Sequence, residues 1–324
     1  MTPYVTEDPT VRTDHRGGTG LALALVSAAL FGTSGTFAAA LIDAGWTPGA
    51  AVTARLAVAA LLLTVPALVS LRGRWYLLRR AAGLVTVYGL VAVAGCQLFY
   101  FNAVARLDVG VALLLEYLGP LLVVGWLWMR HEQRPRRLTV VGTALAVLGL
   151  FLVLDVTGSV QLDMVGVLWA LAAAAGLAVF FVLSAGTANP VPAVVMAWAG
   201  MCVGAATLIL AAGAGLLPFQ ASTGPVVFAG RQVSWLVPVL GLSLLAACLA
   251  YVAGIGAARM LGPKIASFVG LTEVLFGVLF AWLLLGQLPA VVQIIGGAVV
   301  IAGVALVRLD ELRTPERTAV LVST

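Results

Sequence analysis

The chain has 324 residues, of which 62% are hydrophobic and 10% charged, with a mean hydropathy of +1.11. That composition excludes a soluble globular protein, and in lipid only helices or closed barrels satisfy their own backbone. The formal charge of +5 and pI near 9.5 do not indicate nucleic-acid binding, because most basic residues lie in short loops and tails.

Residues 1–20 are polar and read as a disordered cytoplasmic tail. A signal peptide is the rival reading, since Arg12 and Arg16 precede an apolar run ending in Ala38-Ala39-Ala40. That run is too long for a typical signal core, and the tail carries Glu7, Asp8 and Asp14. Ten apolar stretches follow: Leu21–Ile42, Gly49–Leu71, Ala81–Phe101, Val109–Met129, Leu138–Leu154, Met164–Ala185, Val191–Leu216, Trp235–Ile255, Ile265–Leu285 and Ala290–Val307. Most reach the roughly 20 residues a helical span needs, and they are continuous where barrel strands would alternate. The expected fold is an all-α integral membrane protein with ten transmembrane helices.

Asp43 to Pro48, Asn189-Pro190 and Gly286 to Pro289 read as short turns, and Gly262-Pro263 as a tight break between the eighth and ninth spans. Residues Pro218–Ser234 form the one sizeable loop, while Pro66 and Pro238 lie near span ends, where a proline costs little. Gly200 and Gly204 form a GxxxG pattern for close helix packing. Cys96, Cys202 and Cys248 are scattered through apolar segments and read as small hydrophobes.

With the N-terminus inside, 15 of the 18 Lys and Arg residues collect on the cytoplasmic side. Arg106 and Arg231 fall outside, and Arg55 is buried in the second span. The positive-inside rule therefore places both termini in the cytoplasm, with Asp43, Asp155 and Asp163 on the opposite face.

The halves of the chain echo each other. Gly32 and Pro48 recur as Gly176 and Pro192; Pro135, Gly142 and Gly149 recur as Pro289, Gly296 and Gly303. Five spans per half is an odd number, so the second half must be inverted relative to the first. Inverted repeats with a site at their interface are the architecture of many secondary transporters. The expected division is 1–20 tail, 21–154 first repeat, 164–307 second repeat and 308–324 cytoplasmic tail.

Several motifs then carry a family resemblance. They are Phe31-Gly32-Thr33-Ser34, Ala54-Arg55-Leu56, Glu116-Tyr117-Leu118-Gly119-Pro120, Leu271-Thr272-Glu273 and the stretch from Gln293 to Gly303. With them the chain resembles a ten-helix member of the drug/metabolite transporter superfamily with two EamA-type repeats over about residues 20–308. The Glu116 motif resembles threonine/homoserine-type exporters in particular. The family often has Gly-Glu where this chain has Gly286-Gln287. The resemblance implies export of small organic metabolites (amino acids, amines or drug-like molecules) through a central cavity without ATP. It leaves the cargo unnamed.

Only Arg55, Glu116 and Glu273 place charge well inside the spans. On insertion scales each costs about 2.5–3.5 kcal/mol, so such residues usually face a cavity or a partner. At 1.5 Å per residue, Arg55 and Glu116 lie about 9 and 10 Å below the same outer surface. They are expected to face each other as a buried pair, with either a helix-positioning or a substrate role. Glu273 lies about 12 Å from the inner surface with no cationic partner in evidence, which makes it a candidate proton acceptor or contact for a cationic cargo. Its bland reading is a protonated, hydrogen-bonded packing residue. Gln97, Tyr100, Asn102, Tyr117, Trp169, Phe180, Tyr251 and Thr272 complete the candidate cavity, aromatic and amide groups suiting an organic cargo with apolar and polar parts.

Gly32-Thr33-Ser34-Gly35 matches an intramembrane serine-protease pattern, but the only histidines, His15 and His131, lie in a tail and a loop. Neither H-E-x-x-H nor a Walker A sequence occurs, so no enzyme, metal or cofactor is expected. A phosphate or nucleotide-sugar exchanger is the second transporter reading. It should need several cavity Lys or Arg, against the single Arg55 and two glutamates. A membrane sensor or scaffold is the lower alternative and should show a sizeable soluble domain. The expected partners are a small-molecule substrate, lipid and a coupling proton, with the protein a monomer in the cell membrane.

Overall fold

The computed structural model describes residues 9–107, 109–131, 137–153, 163–186, 191–286 and 291–312. It is all-helical apart from one hairpin. The first span is α1 (Pro9–Gly32) followed by α2 (Ser34–Asp43), and the second is α3 (Pro48–Leu71). A short surface helix, α4 (Trp75–Arg80), leads to the third span, built of α5 (Ala82–Val87), a π-helical segment (Tyr88–Gly95) and α6 (Cys96–Val104). The fourth is α7 (Val109–Glu116) with α8 (Gly119–His131), the fifth α9 (Arg137–Val153), the sixth α10 (Met164–Ser184) and the seventh α11 (Ala193–Gly213). After strands β1 (Pro225–Phe228) and β2 (Arg231–Ser234), the eighth span begins as α12 (Leu236–Leu240) and a second π segment (Gly241–Leu249). It continues into α13 (Ala250–Gly270); α14 (Thr272–Leu285) and α15 (Val291–Leu312) complete the chain.

Six helical stretches are long and apolar enough to cross a membrane: Gly17–Asp43, Pro48–Leu71, Ala82–Val104, Met164–Ser184, Ala193–Gly213 and Leu236–Gly270. The last holds more than one span, because Gly262 leaves the helical region at φ 79°, a conformation in which a Cβ would clash. Pro263 follows and starts the ninth span at the position where a missing N–H costs nothing. The expected break at Gly262-Pro263 is therefore present, although the eighth span runs past Ile255 to reach it. The remaining spans are shorter or interrupted helices.

The pairing of spans shows how the two halves combine. The second span packs on the seventh and the fifth on the tenth, each beside its own counterpart. The first packs along the eighth as the sixth packs along the third, and the second meets the eighth as the seventh meets the third. That pattern is what a pseudo-two-fold axis produces. Small residues permit it. A Cβ on Gly303 would come within 2.6 Å of the Ala146 backbone, and one on Gly200 within 2.8 Å of the Tyr88 ring. The GxxxG of α11 thus does pack closely, against the first π segment.

Lipid would meet the outside of this bundle, where side chains such as Leu61, Leu210 and Ile294 are exposed. Trp75 and Tyr76 of α4 are exposed beside Arg79 and Arg80, the composition of a helix lying at a membrane–water boundary. The loop expected at Pro218–Ser234 contains the antiparallel hairpin, turned by Ala229 (φ 51°) and Gly230 (φ 70°). Two consecutive left-handed residues give the turn whose twist matches that of paired strands. The hairpin lies over the ends of the first two spans that face away from the termini, where Phe228 stacks on Phe37 at 4.9 Å. Trp46 donates its indole N–H to the Ser222 carbonyl at 2.8 Å, and the Gln220 N–H donates to Thr47 at 3.0 Å.

Two expectations change. α1 begins at Pro9, so residues 9–20 are helical where a disordered tail was expected, and α15 carries the tenth span to Leu312. Once a long apolar segment has nucleated a helix, each further residue adds one backbone bond, so polarity alone does not end it. The turn at Asn189-Pro190, most of the turn from Gly286 to Pro289, Asp155 and the Pro135–Pro289 match lie outside the described residues. So do Arg134, Arg136, Arg313 and Arg317 of the charge count.

Candidate functional site

Helix interruptions converge near mid-depth. The first span breaks at Thr33, the fourth at Tyr117 and Leu118 and the ninth at Leu271. The last two are equivalent by the repeat, since Tyr117 and Leu271 are offset like Gly142 and Gly296. A broken helix exposes polar backbone, which is tolerated at membrane depth only where it faces protein or a cavity. The two π segments are equivalent as well. A π turn widens the helix and releases carbonyls from their usual partners. Two matched ones are used: Ala92 accepts from the Tyr251 hydroxyl at 3.4 Å, and Ala246 accepts from Arg55.

Beside these breaks lies a cavity that, counted together with the solvent space at its mouth, spans about 650 Å³. Its polar lining is Ser27, Ser34, Cys96, Gln97, Tyr100, Glu116, Tyr117, Tyr251 and Glu273, and its apolar lining includes Phe31, Phe180 and Phe181. The wall runs from Tyr100 and Ser34 toward the face carrying the termini. Ala24 precedes Ser34 by ten residues, about 15 Å along a helix, and Ala257 and Ala266 flank the Gly262 break. Phe180 centres an edge-to-face aromatic cluster, 5.4 Å from the Tyr251 ring, 5.1 Å from Phe181 and 6.3 Å from Phe31.

Arg55 is fully buried on α3. It donates to the Ser34 hydroxyl at 2.9 Å, to the Gln97 amide oxygen and to the Ala246 carbonyl, with Phe101 below its guanidinium at 5.8 Å. The expected pairing of Arg55 with Glu116 is not formed: among the described residues the one ion pair joins Arg106 to Asp163. Depth along two helices fixes a single coordinate, and rotation about the helix axes decides the rest. Neutral acceptors from the first, third and eighth spans surround this guanidinium.

Glu116 instead accepts from the Cys96 thiol at 3.4 Å, and Cys96 also lies 3.4 Å from the Ala173 carbonyl. Cys96, read from sequence as an inert hydrophobe, therefore belongs to the wall; nothing in its spacing signalled this. Glu273 has the partner that the sequence left unnamed, the Tyr117 hydroxyl, which donates to its carboxylate. The Tyr100 hydroxyl lines the cavity and has no partner among the described residues. Lys264, at the start of the ninth span, donates to Thr139 of the fifth span at 3.1 Å.

Of the expected site residues, Gln97, Tyr100, Glu116, Tyr117, Tyr251 and Glu273 meet at the cavity, with Arg55 directly behind Ser34 and Gln97. Three are placed elsewhere. Asn102 donates to the Leu98 carbonyl of its own helix at 2.7 Å, and Thr272 to that of Val269 at 2.7 Å. Trp169 stacks on Phe99 at 5.4 Å. Among the described residues no three His, Cys, Asp or Glu side chains are grouped to hold a metal.

The model of the EamA-like transporter family matches residues 18–155 and again 164–309. A solved structure, titled only as the crystal structure of a protein, superposes with a TM-score of 0.65 at 23% identity, covering 94% of this chain and 98% of its own. At that identity the likeness is one of fold. No curated protein sequence matches the chain.

Proposed function

Since this chain belongs to the EamA-like transporter family, matched in both halves, we propose that it is a secondary transporter exporting small organic cations or zwitterions across the cytoplasmic membrane. The carrying observation is that both membrane-embedded carboxylates, Glu116 and Glu273, line one aromatic cavity at the matched breaks of the fourth and ninth spans. No Lys or Arg is among the described lining residues. Amines, amino acids and cationic drug-like molecules suit such a wall, their apolar parts against Phe31, Phe180 and Tyr251. An anionic phosphate or nucleotide-sugar cargo suits it poorly.

In this reading proton and cargo compete for Glu273. The cationic group of the cargo requires the carboxylate ionised; a proton entering from outside neutralises it and releases the cargo. Tyr117 holds the carboxylate in place, and its hydroxyl can donate to the ionised form or accept from the protonated one. Alternating access would come from one group of spans rocking against the rest. The termini would be cytoplasmic, a placement that the arginine distribution supports.

The test begins with a thermal-shift screen of amino acids, amines and cationic drugs, followed by transport of the hits in proteoliposomes. Glu273→Gln should lose accumulation driven by a pH gradient yet retain downhill exchange. Accumulation at the wild-type level from mildly acidic to mildly basic pH would return Glu273 to a packing role.

A further inference from the structure

A second polar cluster lies outside the cavity wall, near the face that carries the termini. Arg259 stands three residues before the Gly262 break on α13, Ser184 ends α10, and Tyr88 opens the first π segment six residues into the third span. All three therefore sit at the same end of their spans, from the helix end at Ser184 to less than two helical turns in at Tyr88. Tyr88 is fully buried and Ser184 1% exposed. The Tyr88 hydroxyl lies beside Ser184 and within electrostatic reach of Arg259. The two hydroxyls are close enough to interact, yet neither they nor Nε and Nη2 of Arg259, all buried atoms, make a well-aligned hydrogen bond among the described residues.

Such a convergence is rare in packed proteins, because buried polar atoms are nearly always bonded. Two N–H groups of one guanidinium edge form the fork that binds planar or tetrahedral oxyanions in bidentate fashion. The Tyr88 hydroxyl, within electrostatic reach of that fork, and the Ser184 hydroxyl next to it supply further donors. The cavity lies on the far side of the Phe180 ring, whose centroid is 6.1 Å from that of Tyr88 and which itself lines the cavity. Charge counting assigns Arg259 to topology, but a residue there only for topology would keep its guanidinium in water.

We propose that Arg259, Tyr88 and Ser184 form a binding site for one oxyanion group, a phosphate or a carboxylate, at the termini-side end of the third, sixth and eighth spans. The depth fits two sources: the phosphate of an anionic lipid in the adjoining leaflet, or the carboxylate or phosphate of a soluble molecule entering from that side.

Inorganic phosphate titrated into detergent-purified, delipidated protein should raise the melting temperature by about 2–6 °C at saturation. Arg259→Gln should weaken that response about tenfold or more, and Arg259→Lys should keep part of it. Tyr88→Phe removes one unpartnered oxygen and keeps the ring, so it should fold and still weaken the response, which carries the test if Arg259→Gln does not fold. Sodium propionate distinguishes a preference for carboxylates. Retention of phosphatidylglycerol over phosphatidylcholine in native mass spectra, lost in the variants, identifies a headgroup as the source; a propionate or phosphate response without such retention identifies a soluble ligand. The proposal is overturned if wild type responds to none of the three probes, or if both Arg259→Gln and Tyr88→Phe respond as wild type does.

Discussion

The two ends of this bundle handle buried cations differently. On the side away from the termini Arg55, completely buried, is held by Ser34, Gln97, the Ala246 carbonyl and the Phe101 ring. On the termini side Arg259, half-buried, keeps two N–H groups without a partner beside two hydroxyls in the same condition. The difference is one of degree: Arg55 leaves only its Nε without a partner among the described residues, and Arg259 leaves both Nε and Nη2. A guanidinium bonded to three spans at once ties them together and resists separation, whereas the Arg259 guanidinium supplies no such tie through those two nitrogens. The rest of each end agrees. At the end away from the termini, the hairpin and the Arg106–Asp163 bridge close the surface with bonds between segments distant in sequence. Toward the termini the cavity wall ends in alanine and glycine.

If the Arg55 end is a tie, breaking it should have the largest effect. Arg55→Met strands two side-chain acceptors and a carbonyl, and should lower unfolding stability by roughly 2–4 kcal/mol. A double-mutant cycle on thermal or chemical denaturation sharpens the point. Coupling between Arg55→Met and Gln97→Leu should exceed that between Arg55→Met and Glu116→Gln, since only the first pair is in contact. Equal couplings would restore the Arg55–Glu116 pairing that the depth of the two residues suggests.

The hairpin should matter less. Phe228→Ala removes the ring stacked on Phe37 and should cost about 1–2 kcal/mol, the site being only partly buried. If the hairpin helps to seal the end away from the termini, cysteine labels placed on α2 should also react faster from that side in that variant. Unchanged labelling would limit the hairpin to a stabilising role.

The smallest effect is expected at Asp163, which caps α10 by accepting from the Val165 and Gly166 N–H groups and pairs with Arg106 at 3.1 Å. These bonds, those to the backbone and to Arg106 first among them, hold its carboxyl below the usual carboxylate range. Its contribution is therefore present at neutral pH and is lost as the pH falls through its lowered folded value. Asp163→Ala should melt slightly lower than wild type at pH 7, and the gap should close in acid. A gap that persists there would show that packing, not the charge, is responsible.

Much of this architecture is legible in the chain. The ten apolar runs, the Gly262-Pro263 break, the close packing at Gly200 and the echo between halves each rest on a local rule. A length of apolar chain, a residue without a Cβ and a residue without an N–H restrict the backbone wherever they occur. Charges in hydrocarbon are equally conspicuous, so Glu116 and Glu273 were identifiable as cavity residues before any coordinates. The π segments carry no sequence signature of that kind, and neither do the carbonyls of Ala92 and Ala246 that they release.

Partnership was beyond the sequence. Composition and helical rise set how deep a residue lies, and depth made Arg55 and Glu116 look like a pair. Rotation about each axis, fixed by glycines and alanines packing across the pseudo-two-fold, gave Arg55 to Ser34 and Gln97, Glu116 to Cys96 and Glu273 to Tyr117. The same rotation turned Asn102, Thr272 and Trp169 away from the cavity and brought Arg259 to Tyr88 and Ser184. A one-dimensional pattern specifies which face of a helix is polar only when polar residues recur on it. In spans this apolar the few polar side chains do not recur, so packing between helices alone decides where each one points.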